Sequence, residues 1–158
     1  RVRSLLNLRI SKLKVYDYFD NIYDSDFNNT QILKSFPKKL EISYQSFLKK
    51  NFWPTVLVTF WGENGERLFT CQNKSYEEES IKNKEYKIIF SWDKYQISDI
   101  NMKLTISIFN TKRMLTGFED LYREDMIHKF CDINIENSID LNYSDIVMQK
   151  SPLLVNCE

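Results

Sequence analysis

The sequence contains no alanine, and it has only three glycines and one histidine among 158 residues. Alanine is the strongest helix former, so its absence disfavours an all-helical fold. So few glycines cannot build a glycine-rich phosphate-binding loop. The single histidine, His128, has only Cys131 near it in sequence, with no second histidine and no Cys-x-x-Cys pair to complete a metal site. We therefore predict a structural or surface role for His128 and expect no metal and no cofactor.

An excess of charge of either sign is also missing, because 22 lysines and arginines balance 22 aspartates and glutamates. A neutral chain lacks the basic field of a nucleic-acid-binding protein, so we expect no nucleic acid partner. No apolar run approaches the ~20 residues that cross a bilayer. No Gly-x-Ser-x-Gly elbow is present, and the pairs Glu119–Asp120 and Glu124–Asp125 are typical of solvated loop charges. The chain is therefore not expected to be an enzyme.

Three cysteines, Cys71, Cys131 and Cys157, are widely spaced and odd in number. This usage fits reduced thiols in the cytoplasm better than a disulfide framework. The length suits one domain with a substantial core. Because the chain begins with Arg1 rather than methionine, we expect residues 1–158 to be a single domain excised from a larger protein.

The sequence does contain segments in which apolar residues occupy every second position, and the pattern is clearest between Glu85 and Asn110. Tyr86, Ile88 and Phe90 are separated by single residues, and so are Met102, Leu104, Ile106 and Ile108. A period of two predicts two strands, each with one buried face. Aromatic residues make up 15% of the chain and suit packed sheets.

The same reasoning predicts further strands. They are Leu5–Val15, Lys39–Ser46, Val56–Trp61, Glu66–Cys71, Ile127–Ile135, Ile139–Val147 and Leu153–Val155. Residues 31–50 also fit helical spacing, but Ile42 and Tyr44 favour a strand. The long connection from Thr111 to Asp125 has room for one short helix. We predict an all-β fold, an antiparallel β-sandwich of about eight strands with long loops.

Asp17, Asp20, Asp24 and Asp26 form the one acidic cluster that could hold a cation. Calcium takes about six to eight oxygen ligands, so these carboxylates would need help from elsewhere. Their many asparagine neighbours favour an ordinary polar loop.

Two basic stretches are candidate contact surfaces for a protein partner or an anionic membrane. One is Lys112, Arg113, Met114 and Leu115, and the other contains Lys34, Lys38, Lys39, Lys49 and Lys50. Each cation near an anionic membrane contributes ~1 kcal/mol, but ordinary solvated lysines on a neutral domain are the favoured interpretation. Trp53, Phe60 and Trp61 are further interface candidates if they lie outside the core, where such rings usually pack.

Several segments resemble the C2 domain family in their order along the chain. Leu6–Leu13 is similar to the opening strand of the family, and Trp53-Pro-Thr-Val-Leu-Val stands where the family has Asp-Pro-Tyr-Val-x-Val. The segment from Asn83 to Trp92 resembles Asn-Pro-x-Trp-Asn-Glu-x-Phe-x-Phe. Leu104-x-Ile-x-Ile and Asp125-Met-Ile-His resemble the strands that flank the third calcium loop. The resemblance implies a C2-like sandwich.

The departures from this pattern concern the calcium ligands. Trp53 replaces the acid before proline, and the third-loop Asp-x-Asp falls on Asn110 and Lys112. Only Asp125, with Asp17 or Asp20, could stand for ligands, so the resemblance implies a calcium-independent member.

A second set of residues is similar to the N-terminal C2 domain of multi-C2 centriolar proteins that act in distal-appendage assembly and ciliogenesis. It comprises the Trp61-Gly-Glu…Leu-Phe69 hairpin, Tyr86-x-Ile88 and the segment Tyr95–Leu104. This likeness implies a non-catalytic scaffold module that binds protein partners at the centriole or basal body. The alternative is a peripheral membrane module that binds anionic phospholipid through its basic and apolar loops.

Overall fold

The computed structural model describes residues 2–3, 7–19, 21–24, 31–92, 101–112 and 123–134. These residues form strands and no helix, so the predicted all-β fold is confirmed. The strands are β1 Val2–Arg3, β2 Leu8–Tyr16, β3 Ile22–Asp24, β4 Gln31–Leu33, β5 Lys39–Ser46, β6 Pro54–Trp61, β7 Arg67–Gln72, β8 Glu85–Ser91, β9 Asn101–Asn110 and β10 Arg123–Asn134. The strands predicted at Ile139–Val147 and Leu153–Val155, and most of the connection predicted to hold a helix, lie outside the described residues.

The strands form a sandwich of two sheets. The six-stranded sheet has the order β1-β10-β9-β6-β7, with β4 also paired to β10, and the four-stranded sheet has the order β3-β2-β5-β8. The described pairings are antiparallel except for β4, which runs parallel to β10. The predicted antiparallel sandwich therefore needs this one correction.

The two strands with the clearest alternation, β8 and β9, lie in different sheets. Ile88 and Phe90 from one sheet and Leu104 and Ile106 from the other are fully buried in the shared core. The alternation is thus explained by two sheets that each turn one apolar face inward. The hairpin predicted between β6 and β7 is also confirmed, with Gly65 at φ 78° in its turn.

Three short strands were not predicted from the sequence. Residues 17–29 were interpreted as loop, yet β3 lies within them and pairs with the end of β2, where Tyr23 faces Val15. β4 likewise pairs with β10, where Leu33 faces Ile133. Segments of two or three residues are too short to show a period of two. Their position is set by pairing with the longer strand beside them.

Aromatic clusters mark the two ends of the sandwich. Tyr44, Phe52 and Tyr86 lie near the loops 47–53, 73–84 and 110–112, which we call the groove end. Phe36, Phe60, Phe69 and Trp92 lie at the opposite end, near the turn 17–21, which we call the aspartate end. The strand register agrees, because Pro54 pairs with Asn110 at the groove end whereas Trp61 pairs with Lys103 at the other.

Glu124 and Asp125 tie the two sheets together. The Glu124 carboxylate accepts a hydrogen bond from the Asn7 N–H at 2.9 Å, and that of Asp125 accepts one from the Ile10 N–H at 2.9 Å. Both side chains are buried in β10, so their interpretation as solvated loop charges was wrong. The ladder between β2 and β5 shifts register between Ile10 and Lys12, next to the Ile10 N–H that donates to Asp125.

Candidate functional site

The groove end is held by neutral amide and hydroxyl groups. The Asn110 side-chain oxygen accepts from the Trp53 N–H at 2.9 Å, and the Thr55 hydroxyl donates to the Thr111 carbonyl at 2.8 Å. The buried Asn73 amide accepts from the Val56 N–H at 2.6 Å and donates to the Pro54 carbonyl at 3.0 Å. These side chains fix the loop backbones without a charged group.

Lys112 is the one member of the predicted 112–115 contact segment whose position is described. Its Nζ lies 4.2 Å from the centre of the half-buried Trp53 ring, a cation–π contact worth about 0.5–1 kcal/mol at an exposed site. Lys112 is exposed, so its charge is directed to the surface. Arg113, Met114 and Leu115 lie outside the described residues.

At the same end of the sandwich lies a groove of about 480 Å³ between the loop that follows β5 and the loop that precedes β8. It is lined by Gln45, Ser46, Phe47, Leu48, Lys49, Ser80, Lys82 and Asn83. The Phe47 side chain is 60% exposed, and Ile81 next to Ser80 is 46% exposed. The volume falls within the range of about 300–1,000 Å³ that is usual for ligand-binding pockets.

Hydrogen bonds fix both walls of the groove. The Ser80 hydroxyl donates to the Leu48 carbonyl and so joins the two loops. The Tyr86 hydroxyl donates to the Glu79 carbonyl and accepts from the Ile81 N–H. Asn83 has φ 63°, a left-handed conformation that asparagine tolerates in tight turns. The groove is therefore a preformed feature of the fold.

The lysines around the groove differ in their contacts. Lys84 pairs with Glu78 at 3.7 Å and lies 4.6 Å from the centre of the Tyr86 ring. Lys49, Lys50 and Lys82 are exposed, and within the described part of the chain no ion pair engages them. Lysines such as these are available to an anionic partner.

The second basic stretch does not form one surface. Lys38 lies at the aspartate end, where its backbone N–H donates to the Tyr16 carbonyl at 2.7 Å. Lys39 is near it, 3.2 Å from Glu41 and 4.4 Å from the centre of the Tyr16 ring. β5 separates these residues and Lys34 from Lys49 and Lys50 at the groove end. Neighbours in the amino-acid sequence are thus divided between the two ends.

Asp17 is a structural carboxylate. It accepts hydrogen bonds from the Phe19 N–H, the Asn21 N–H, the Asn21 side-chain amide and the Tyr23 hydroxyl, at 2.8 to 3.2 Å. Burial by itself would raise the pKa of Asp17, but the hydrogen bonds from Asn21, Phe19 and Tyr23 bring the net pKa below its usual value of 3.8. Asp24 lies exposed, 4.0 Å from Lys14, and Asp20 and Asp26 lie outside the described residues.

The residues proposed as remnants of calcium ligands do not converge. Asp17 is at the aspartate end, whereas Asn110 and Lys112 are at the groove end. Asp125 is engaged by backbone N–H groups of Ile10 and Met126 within the sandwich. Across the described segments, no three side chains among histidine, cysteine, aspartate and glutamate cluster as metal ligands.

His128 is exposed on the outer face of the six-stranded sheet, as a surface histidine. Its Nδ1 lies 3.4 Å from the Thr105 hydroxyl, which also accepts from the Trp61 indole N–H at 2.8 Å. Burial and the nearby Lys129 charge lower the pKa of His128. Cys131 is fully buried instead, and burial raises the pKa of its thiol, so the two residues do not form a reactive pair.

Of the three aromatic interface candidates, Phe60 is fully buried in the core, and Trp53 and Trp61 are half-buried. The most exposed rings and side chains at the groove, Phe47 and Ile81, were not predicted as contact residues. Phe47 directly follows the strand Lys39–Ser46. An apolar residue just beyond the end of a strand was the one signal in the sequence that could have identified it as a contact residue.

A scan against known protein families finds no family that matches this chain. A search of curated proteins also finds no match. The described residues contain no helix that could span a membrane.

Proposed function

We propose that this chain is a non-catalytic, calcium-independent C2-like module that binds protein partners within a larger centriolar or ciliary basal-body protein. The sandwich architecture and the ordered C2-like segments support this proposal. The proposal depends on one observation above all, the chemistry of the groove end.

At that end the loops are joined by Asn73, Asn110 and Thr55, and the cation of Lys112 lies over Trp53. A calcium site needs several anionic oxygens, and a lysine among them would repel the ion. A preformed groove with exposed Phe47 lies at the same end of the sandwich. These features favour recognition of a protein surface over calcium-triggered binding.

Thermal unfolding with and without calcium tests the first half of the proposal. Ligand binding to the folded state raises Tm, so we expect millimolar calcium to leave Tm unchanged. A large calcium-dependent rise in Tm would contradict calcium independence. Magnesium at the same concentration is the control for ionic strength.

Expression of the chain as a fluorescent fusion in ciliated cells tests the second half. We expect enrichment at the basal body, because the chain is proposed to dock on a protein assembly there. A diffuse signal, or a signal over cell membranes, would contradict the scaffold assignment.

Anionic membrane binding is the second candidate, and exposed Phe47 beside Lys49 and Lys50 favours it. Co-sedimentation with vesicles of phosphatidylcholine and phosphatidylserine tests it at two salt concentrations. Salt-sensitive binding that is lost on combined Lys49→Glu, Lys50→Glu and Lys112→Glu substitution would favour the membrane module. We expect little binding to these vesicles.

A further inference from the structure

The groove combines an apolar wall with unpaired positive charge. Phe47 and Leu48 supply the apolar surface, and Lys49 and Lys82 supply the charge. No carboxylate lines the groove among the residues that the structure describes. A ligand that fits must therefore bring its own negative charge together with an apolar group.

The surroundings of the groove discriminate between two kinds of anionic partner. Residues 47–53, 73–85 and 110–112 include six lysines against four glutamates, a surplus of only two positive charges. Glu77, Glu79 and Glu85 are exposed there. At ~1 kcal/mol per cation, that surplus gives weak attraction to a flat anionic membrane. A narrow peptide instead contacts the lining of the groove, which includes Lys49 and Lys82 and no glutamate among the described residues.

We propose that the groove binds a short acidic peptide segment of a partner protein. An apolar side chain of that segment packs against Phe47 and Leu48, and its carboxylates lie beside Lys49 and Lys82. Lys50, which is exposed next to Lys49, extends the positive surface along the loop. This inference rests on the proposed function as a protein-interaction module and names the chemistry of the partner.

The fixed walls favour such binding. Ser80 links the β5–β6 loop to the β7–β8 loop, and Tyr86 holds the backbone on both sides of Ser80. Phe47 is anchored by its own N–H, which donates to the Asn7 carbonyl at 2.7 Å. Since the groove is preformed, the residues that line it lose little conformational entropy when a peptide binds.

Selection of short random peptides displayed on phage tests the inference. We expect the enriched peptides to combine aspartate or glutamate with leucine, isoleucine, phenylalanine or tryptophan. The enriched peptide is then labelled with fluorescein. We expect the double substitution Phe47→Ser with Lys82→Glu to raise its Kd by about tenfold or more, as loss of an interface anchor does.

The matched control is Phe19→Ser with Lys12→Glu, which changes an exposed phenylalanine and an exposed lysine away from the groove. We expect this control to leave the Kd unchanged and both double variants to retain the Tm of the parent chain. Failure to enrich any peptide, enrichment of basic peptides, or equal binding by the groove variant would overturn the inference.

The outcomes separate this inference from the proposed function. Acidic peptides that bind the groove variant as tightly as the parent chain would exclude the groove and leave the interaction module standing. Phosphatidylserine vesicles that bind through Phe47 and Lys82, with no peptide enriched, would overturn both proposals in favour of a membrane module.

Discussion

The two ends of the sandwich use their charged groups differently. At the aspartate end, the Asp17 carboxylate is buried and takes four hydrogen bonds from its own turn. At the groove end, neutral groups such as Asn73 hold the loops, and Lys49 and Lys82 extend outward. The Asp17 carboxylate is thus used within the fold, whereas the Lys49 and Lys82 charges are available to a partner.

This difference teaches that a cluster of acids in sequence is weak evidence of a site. Asp17 belongs to a cluster of four aspartates in sequence, yet its carboxylate accepts hydrogen bonds from backbone and side-chain donors. The groove emerges from loops that contain glutamates as well as lysines. We expect substitutions at the aspartate end to alter stability and those at the groove end to alter binding.

The largest expected effect is at Phe60, which packs against Phe36 and Phe69 at centroid distances of 5.2 and 4.4 Å. Phe60→Ala should lower the free energy of unfolding by about 3–5 kcal/mol, because it leaves a cavity in a dense aromatic cluster. Urea denaturation followed by tryptophan fluorescence measures this change. Phe47→Ala is the matched control and should change stability by under about 1 kcal/mol, because Phe47 is exposed. Equal losses of stability from Phe60→Ala and Phe47→Ala would contradict the distinction between the buried and the exposed phenylalanine.

Asp17→Ala should rank second, with a loss of about 1.5–3 kcal/mol, because the backbone and side-chain donors around it lose a charged acceptor. Asp24→Ala should cost less than about 1 kcal/mol, since Asp24 is an exposed residue with a weak lysine contact. The lowered pKa of Asp17 adds a pH signature. Its stabilisation is present above the unfolded pKa of about 3.9 and is lost as the pH falls through the lower folded pKa. A parent chain whose stability falls no more steeply in acid than that of Asp17→Ala would contradict this role.

Tyr86→Phe should have a smaller effect on stability, about 1–2 kcal/mol, through loss of the hydroxyl that joins Glu79 and Ile81. Because this hydroxyl fixes one wall of the groove, we expect peptide affinity to fall several-fold as well. Fluorescence anisotropy under native conditions measures the affinity. Asp17→Ala, measured on the folded protein, should leave peptide affinity unchanged, which would sharpen the distinction between the ends.

The smallest expected effect is a pH dependence at Glu124. Burial raises the pKa of Glu124 above its usual value, although hydrogen bonds from Asn7 and Leu8 oppose the shift. A carboxyl with a raised folded pKa stabilises the fold below its unfolded pKa of about 4.3, and this contribution is lost as the pH rises through the folded value. Glu124→Gln should therefore gain stability relative to the parent chain, by under about 1 kcal/mol, as the pH rises from the unfolded pKa through the folded pKa of Glu124. If Glu124→Gln instead gained stability relative to the parent chain as the pH falls, the raised pKa of Glu124 would be contradicted.

Much of the sandwich could be predicted because its long strands repeat with a period of two. Lys39–Ser46 was predicted with the bounds that the structure gives, and Ile88 and Leu104 were placed on buried faces. The parallel pairing of β4 could not be predicted, because three residues hold no periodicity and the pairing depends on β10. The burial of Asp125 was missed for a related reason, since its partner Ile10 is 115 residues away in sequence.

The candidate site was predicted only in part. Lys49, Lys50 and Lys112 were identified from charge, and all three lie at the groove end. Phe47 and Lys82 were missed, because they belong to loops that meet only when β5 and β8 pair. The sequence also grouped Lys38 with Lys49, although β5 carries the chain from one end of the sandwich to the other between them.

The hydrogen bonds from Asn7 to Glu124 and from Ile10 to Asp125 span 117 and 115 residues. Contacts so distant along the chain slow folding, since a large loop must close before they form. During synthesis the ribosome must release β10 before these hydrogen bonds can form, and until then β9 is an edge strand of its sheet. We therefore expect the nascent chain to need protection by chaperones until β10 has emerged.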